Sequence, residues 1–267
     1  MPDPRERRQS MIPYKDENPT LSTPIVTIAL IAANVAAWLL FQGMGQSPIL
    51  DQSVCELGLV PGRLFGHIPA DATVQLGPDA YCRLGHFPAG ATVLTSMFMH
   101  GGWLHLIGNM WFLWIFGNNV EDSTGKVRFL VFYLLCGVIA ALVQSVAKPD
   151  SAIPMVGASG AIGGVMGAYI VLYPRVRVHM LVFLGFYATR IAVPAYLMLG
   201  YWLLIQVFSG ALAVGQESGG VAFLAHVGGF VGGMLLSFPF RNPRLVAAHR
   251  AWIAQHATVG TRIPWGR

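Results

Sequence analysis

The sequence predicts an all-α protein that crosses a lipid bilayer several times, and three observations support this fold class. Of its 267 residues, 54% are hydrophobic and only 11% are charged, whereas soluble domains carry about 25% charged residues. The apolar residues fall into six runs, each long enough to form a membrane-spanning helix. The basic residues lie at the ends of these runs, which is typical of membrane proteins and argues against a nucleic-acid partner despite a pI near 9.3.

Three regions follow one another along the chain. Residues 1–23 form a polar N-terminal tail, which we expect to be disordered or to lie on the membrane surface. Residues 24–240 form the membrane domain, and residues 241–267 form a basic C-terminal tail with a short interfacial helix. The predicted spans cover residues 24–41, 93–117 with a helix start near Trp103, 129–147, 157–173, 191–214 and 221–240.

A long loop rich in glycine and proline, residues 44–90, joins the first two spans. Loops of this length are usually functional or disordered. Apolar residues such as Leu57 and Leu59 argue against disorder and favour a position partly in the membrane interface. The loop contains Cys55 and Cys82, and the sequence leaves open whether they pair or remain two free thiols.

The distribution of lysine and arginine predicts the orientation of the spans. With six spans both termini lie on one side, and that side carries all of the lysines and arginines except Arg63, Arg83 and Lys148. The positive-inside rule therefore places both termini in the cytoplasm, and we expect a bacterial-type inner membrane. The loop 44–90 then faces outward, together with the starts of the second, fourth and sixth spans.

Four polar side chains interrupt the apolar spans near their outward ends, and such groups usually face the protein interior. Ser159 starts the fourth span, His226 starts the sixth, and His105 and Asn109 share one face of the second. Pairs of glycines four residues apart mark the fourth span (Gly160/Gly164, Gly163/Gly167) and the sixth (Gly228/Gly232, Gly229/Gly233). Because small residues let membrane helices touch, we expect Ser159 and His226 to meet.

This combination of residues predicts a nucleophilic site. A serine hydroxyl needs a neighbouring base, which His226 supplies. The Asn109 amide, His105 and the Ser159 backbone N–H are the candidate donors for an oxyanion. We count Gly157 with the substrate-stabilising residues, because it removes side-chain bulk beside Ser159 and lets a substrate backbone approach.

Each of these residues also has a simpler explanation when it is taken alone. A helical serine often bonds the carbonyl one turn back, and an asparagine can hold two helices together. An intramembrane histidine can relay protons or bind an ion. Zinc binding by His100, His105 and His226 is a further alternative, although no acidic residue lies beside them as in a metalloprotease helix.

Four segments taken together resemble the rhomboid family of intramembrane serine proteases, and they occur in the family's order. The segments are residues 100–109, 116–122, 157–160 and 225–229. The resemblance implies a six-helix core that cuts transmembrane segments of other membrane proteins. No cofactor or metal ion is expected.

The resemblance also assigns roles to individual residues. It implies a Ser159–His226 dyad without a third carboxylate and an oxyanion site that uses His105, Asn109 and the Ser159 amide. By the same analogy, His100 orders the start of the second span. One departure concerns Gly163, where some bacterial members carry a tyrosine that stacks on the catalytic histidine. The imidazole of His226 must therefore be oriented in another way.

The sequence thus favours a serine endopeptidase, with two alternatives. A non-catalytic relative would bind transmembrane helices without cutting them, although such relatives typically lack the serine or the histidine. An ion or proton transporter based on the buried histidines would need paired charges in the membrane, and the spans carry almost none.

Overall fold

The computed structural model describes residues 11–75, 81–184, 187–212 and 222–257. Short 3-10 turns cover Gly43–Gly45 and Ser96–Phe98. The helices are α1 (Ile25–Leu40), α2 (Ile49–Leu57), α3 (Pro61–Leu64), α4 (Ala89–Thr95), α5 (Trp103–Thr124), α6 (Lys126–Ala147), α7 (Ser159–Leu172), α8 (Ala195–Leu212), α9 (Phe223–Phe240) and α10 (Pro243–Ala257). The strands are β1 (Met11–Asp16), β2 (Thr73–Gln75), β3 (Tyr81–Arg83), β4 (Arg177–Leu184) and β5 (Tyr187–Pro194).

A helix occupies each stretch that the sequence predicts as a span, namely α1, α5, α6, α7, α8 and α9. Among the described helices, three are long and apolar enough to cross a membrane: α6, α8 and α9. The apolar helices α1 and α7 are shorter, so the count of six spans stays a prediction. Large apolar side chains such as Leu235 on α9, which is 65% exposed, lie on the surface, as expected for contact with lipid.

The described chain is mainly helical, as expected, but it also forms two small antiparallel sheets that the expectation of an all-α fold did not include. One has the strand order β1-β4-β5, and the other pairs β2 with β3. Val178, Met180 and Val182 are buried at alternate positions of β4, which is the period of a strand rather than of a helix. The fifth predicted span, residues 191–214, starts later than expected: α8 begins at Ala195, and residues 191–194 belong to β5.

The N-terminal tail is also more ordered than the sequence suggests where the structure describes it. Strand β1 pairs with β4, with Met11 opposite Val182. The Glu121 carboxylate at the end of α5 accepts hydrogen bonds from the backbone N–H groups of Val26 (3.0 Å) and Thr27 (2.8 Å). These N–H groups have no partner within α1, so Glu121 caps that helix. Residues 1–10 lie outside the described part of the chain.

Helix α7 forms the centre of the membrane domain and is buried at every position of residues 160–169. It packs against α5, α6, α8 and α9. A Cβ atom on Gly167 would lie 2.0 Å from the Phe230 carbonyl oxygen, and one on Gly233 would lie 2.0 Å from the Gly164 oxygen. The backbones of α7 and α9 therefore touch, which only glycine permits.

On four of the glycines that the sequence suggested for this contact, Gly160, Gly164, Gly228 and Gly232, an added Cβ atom would point at another helix instead. A Cβ atom on Gly160 would lie 2.6 Å from the Ala140 side chain, and one on Gly228 would lie 2.7 Å from Val143. Ala140 and Val143 both belong to α6. The spacing of four residues thus identified the helices that pack closely. It did not show which neighbouring helix each glycine faces, because that depends on how the helix is rotated about its axis.

The loop 44–90 folds around a disulfide bond, which resolves the alternatives left open for its two cysteines. Cys55 on α2 and Cys82 on β3 are bonded, with their Cα atoms 5.5 Å apart. Both are buried together with Leu84 in a small apolar cluster. Leu59 and Met155 exchange backbone hydrogen bonds of 3.0 and 2.8 Å, which attaches this loop to the segment preceding α7.

Candidate active site

Ser159 and His226 are brought together by the packing of α7 on α9. Ser159 is the first residue of α7, and His226 lies in the first turn of α9. The Ser159 Oγ lies 2.7 Å from the His226 Nε2, within hydrogen-bond distance. The Gly-mediated contact between the two helices is what permits this approach, because a bulkier pair of helices would separate the two side chains.

Gly157 shapes the segment that leads into Ser159. Its φ of +124° lies in the region that favours glycine. Its N–H donates to the Ser96 carbonyl oxygen at 2.9 Å, which holds the segment in place. A Cβ atom here would lie 2.7 Å from the Nε2 of His105. The absence of a side chain therefore allows His105 to lie directly against the backbone that precedes Ser159.

His105 and Asn109 lie one turn apart on α5 and present N–H donors to the same region. The Gly101 N–H donates to the Nδ1 of His105 at 3.3 Å, so a neutral His105 carries its own proton on Nε2, beside Gly157. The Nδ2 of Asn109 is buried, and no hydrogen-bond acceptor for it occurs among the described residues. An unused buried donor is costly, unless a bound substrate supplies the acceptor.

The start of α7 adds a third donor. The first N–H groups of a helix have no acceptor within it, and the partial positive charge of the helix N-terminus favours a nearby anion. Ser159 occupies this first position of α7. The side-chain donors lie close to the segment that leads into this helix start, since a Cβ atom on Gly157 would lie 2.7 Å from the His105 Nε2 and 3.6 Å from the Asn109 Nδ2.

These groups line a cavity of about 770 Å³. Its polar lining includes His105, Asn109, Ser159 and His226, and apolar side chains such as Trp202 form part of its wall. A cavity with a few polar groups in an apolar wall is typical of substrate-binding sites. Among the described residues, no group of three or more His, Cys, Asp and Glu side chains is placed to hold a metal ion.

His100, which the family resemblance assigns to the start of the second span, is not among the residues that line this cavity. Its side chain is fully buried, and its ring packs edge-on against His105 with 5.1 Å between the centroids. The side chain of Gln42 holds the His100 backbone, accepting from its N–H at 2.8 Å and donating to its carbonyl at 2.7 Å. His100 thus supports His105 from behind rather than facing a substrate.

Gln206 on α8 is a further polar residue at the dyad, and it was not predicted from the sequence. Its Oε1 lies 2.8 Å from the Nδ1 of His226, on the side of the imidazole opposite Ser159. A polar side chain within an apolar span is itself a signal of a functional position, and this signal was available at Gln206. Gly163 has no side chain that could orient the imidazole of His226. A larger residue would also be crowded there, since a Cβ atom would already lie 3.1 Å from the His226 carbonyl oxygen.

The site thus combines a hydroxyl, an imidazole within hydrogen-bond distance and several N–H donors around one cavity. Such a set can perform acyl transfer, in which a nucleophile attacks a carbonyl and the donors stabilise the developing oxyanion.

Comparison with known protein families identifies one domain in the chain. Residues 89–243 match the family model of the Rhomboid domain. This match covers more than half of the chain and contains all of the candidate site residues named above.

Several characterised proteins share sequence with this chain. Rhomboid-like protease 5 of Toxoplasma gondii is 34% identical over 65% of this chain and 19% of its own length. Rhomboid-like protein 11, chloroplastic, of Arabidopsis thaliana is 32% identical over 57% of this chain and 52% of its own length. Rhomboid protease GluP of Bacillus subtilis is 33% identical over 57% of this chain and 26% of its own length. The chain therefore spans about a quarter or less of the length of the two named proteases and about half of the length of the chloroplastic protein.

Proposed function

The chain belongs to the rhomboid family, and we propose that it is an intramembrane serine endopeptidase that cleaves transmembrane segments of other membrane proteins. The observation that carries this proposal is the 2.7 Å contact between the Ser159 Oγ and the His226 Nε2 at the cavity. A serine hydroxyl is a weak nucleophile unless a base removes its proton, and this contact supplies the base.

In the proposed reaction, the Ser159 Oγ attacks the carbonyl carbon of the scissile peptide while its proton passes to the His226 Nε2. The resulting tetrahedral intermediate collapses when the C–N bond breaks, and the same proton moves from Nε2 to the leaving amine. A water molecule then loses a proton to Nε2 and attacks the acyl-enzyme, which releases the new carboxyl group and restores the Ser159 hydroxyl.

The proposed oxyanion site consists of the His105 Nε2–H, the Asn109 amide and the Ser159 backbone N–H. The unused, buried Nδ2 donor of Asn109 supports this role, because a group held in place before the reaction stabilises a developing charge without reorganisation. Gly157 contributes by the absence of a side chain, which leaves room for the substrate backbone.

Membership of this family and the apolar helices make the chain an integral membrane protein. We further propose six membrane spans with both termini in the cytoplasm of a bacterial-type cell, so that the cavity opens toward the outside. The substrates are then proteins whose transmembrane segments can enter from the bilayer, and water reaches the dyad through the cavity.

Covalent labelling and cleavage assays test this function. Purified protein in detergent should react with a fluorophosphonate and should cleave a model transmembrane substrate. Ser159→Ala should lose both activities, and His226→Ala should lose nearly all of each, because the hydroxyl then lacks its base. Equal cleavage by wild type and Ser159→Ala would refute the proposal. Binding of the substrate without cleavage by the wild type would instead identify a non-catalytic member of the family.

A further inference from the structure

The imidazole of His226 is held on both of its nitrogen atoms, and only one of these contacts belongs to the dyad. Nε2 faces the Ser159 Oγ, while Nδ1 lies 2.8 Å from the Oε1 of Gln206 on α8. We propose that Gln206 is a positioning residue that fixes the orientation and the tautomer of His226. This inference rests on the proposed function, in which His226 is the base.

The hydrogen bonds of Gln206 determine which way its amide points. Its Nε2 donates to the carbonyl oxygen of Trp202, one turn earlier on α8, at 3.4 Å. Rotating the amide by half a turn would place Oε1 against that carbonyl, so that two acceptors would face each other. The amide oxygen is therefore directed at His226, where it can only accept.

This orientation selects one tautomer of the neutral imidazole. Since Gln206 Oε1 is an acceptor, the ring proton belongs on Nδ1, and the lone pair is left on Nε2. A lone pair on Nε2 is what the dyad requires, because the Ser159 hydroxyl must donate its proton to that atom. In the opposite tautomer the Nε2–H would donate to the Ser159 Oγ, so Nε2 could not accept the hydroxyl proton, and the unprotonated Nδ1 would face an acceptor.

Trp202 supports the same imidazole from its flank. Its ring centroid lies 5.7 Å from that of His226, and the planes are tilted by 37°. Trp202 and Gln206 are four residues apart and share one face of α8, and Gln206 is only 7% exposed. The Trp202 ring and the Gln206 amide, both on α8, therefore hold the imidazole in place. Gly163 on α7 has no side chain that could do so.

The location of these two residues has a mechanical consequence. The dyad belongs to α7 and α9, but the acceptor that orients its base belongs to α8. The base is therefore correctly oriented only while α8 is seated against α9.

Substitutions at Gln206 separate positioning from packing. Gln206→Met keeps the length of the side chain but removes the acceptor, whereas Gln206→Glu retains acceptor oxygens. Leu204→Met is the matched control, since Leu204 lies on the same helix and is 52% exposed. The readouts are the rate constant for fluorophosphonate labelling and the separate kcat and KM values for a model transmembrane substrate.

We expect Gln206→Met to lower the labelling rate and kcat by about 10- to 100-fold, less than the full contribution of a general base, because the base itself is retained. KM should stay close to the wild-type value, Gln206→Glu should recover most of the rate, and Leu204→Met should match the wild type. Labelling of Gln206→Met at the wild-type rate would overturn the proposal, as would a Gln206→Glu variant as slow as Gln206→Met.

The tautomer can also be measured in the unmodified protein, which keeps the proposal testable if a variant fails to fold. The ¹⁵N chemical shifts of the His226 ring, assigned by comparison with His226→Ala, should show a protonated Nδ1 and an unprotonated Nε2. The reverse pattern would refute the role of Gln206. If Ser159→Ala were labelled as fast as the wild type, the proposed function itself would fail, which is a different outcome.

Discussion

At the scale of single residues, the donors around Ser159 should contribute less than the dyad does. Asn109→Ala should lower kcat/KM by about 10²–10³-fold, the usual cost of one lost oxyanion donor, and His105→Ala should fall in the same range. Asn118→Ala is the matched control, because Asn118 lies near the far end of α5 and bonds only to Thr20 and its neighbour Asn119 among the described residues. An Asn109→Ala enzyme with wild-type kcat/KM would exclude the amide from the oxyanion site.

Asp16 in β1 should make stability depend on pH. Burial raises the pKa of this carboxyl from its usual 3.8 to about 6, although the Tyr169 hydroxyl donates to it at 2.5 Å and partly opposes the change. Because the folded state holds the proton more tightly than the unfolded state, the stabilisation from Asp16 is complete below about pH 4. It is lost as pH rises through 6, with a total near 3 kcal/mol.

Thermal unfolding in detergent between pH 4 and pH 7.5 measures this effect. Asp16→Asn keeps an oxygen acceptor for Tyr169 and cannot ionise, so the wild type should lose stability relative to this variant as the pH rises. Parallel curves for the two proteins would contradict the assigned pKa.

At the residue level, the sequence was most informative where polar groups stood out against apolar spans. Ser159, His226, His105 and Asn109 stand out in this way, and all four line one cavity, although their catalytic roles remain predictions. Gln206 was missed because a single amide in a span has a common alternative role as a contact between helices. Its partner could not be identified without knowing how α8 is rotated about its axis.

At the scale of helices, the contact between α7 and α9 should tolerate no added atom. Gly233→Ala would put a methyl group 2.0 Å from the Gly164 carbonyl oxygen. The helices must then separate, at a cost of about 1–3 kcal/mol, and His226 moves relative to Ser159. Since a displacement of about 1 Å can cost 10²-fold in rate, activity should fall by at least about 10-fold.

Gly200→Ala provides the comparison for that substitution. It makes the same change inside α8, where a Cβ atom would meet nothing within 4 Å, and it should leave activity unchanged. Stability should stay equal or rise by about 0.5–1 kcal/mol, because alanine favours a helix over glycine. The measurements are the melting temperatures and cleavage rates of Gly233→Ala and Gly200→Ala. If the two variants have equal values, α7 and α9 need not touch for activity.

The sheets show where prediction of the elements failed. Mean hydropathy identifies apolar helices well, since six of the observed helices lie at the expected stretches. It does not distinguish the end of a short strand from the end of a span, so residues 191–194 of β5 were assigned to the fifth span. The neighbouring strand β4 begins with an alternation of polar and apolar residues, Arg177-Val178-His179-Met180, which is the period of a strand.

At the scale of the whole molecule, the ends of the described chain gather opposite the cavity. The Nε2 of His249 on α10 lies 3.0 Å from the carbonyl oxygen of Pro19, and β1 pairs with β4 beyond the end of α7. This arrangement agrees with a topology in which both termini share one side. Which side faces the cytoplasm rests on the charge distribution alone.

Cysteine accessibility tests that orientation in intact cells. In a background without native cysteines, Asp71→Cys should react with an impermeant maleimide from outside, whereas Arg5→Cys should be protected. Permeabilised cells serve as the control, in which both positions should react. The reverse pattern in intact cells would place the cavity on the cytoplasmic side and would refute the proposed topology.

The pairing of β1 with β4 sets an order for biosynthesis. Val182 leaves the ribosome 171 residues after its partner Met11, which at about 5–20 residues per second is a delay on the order of ten seconds or more. During that time the residues of β1 lack their partner strand, because β4 has not yet been made. Pro13, which lacks an N–H, and the charged Lys15 are features that keep an open strand from pairing with other chains. We therefore expect Pro13 and Lys15 to keep the nascent chain from pairing with other chains until the β4–β5 hairpin has been made.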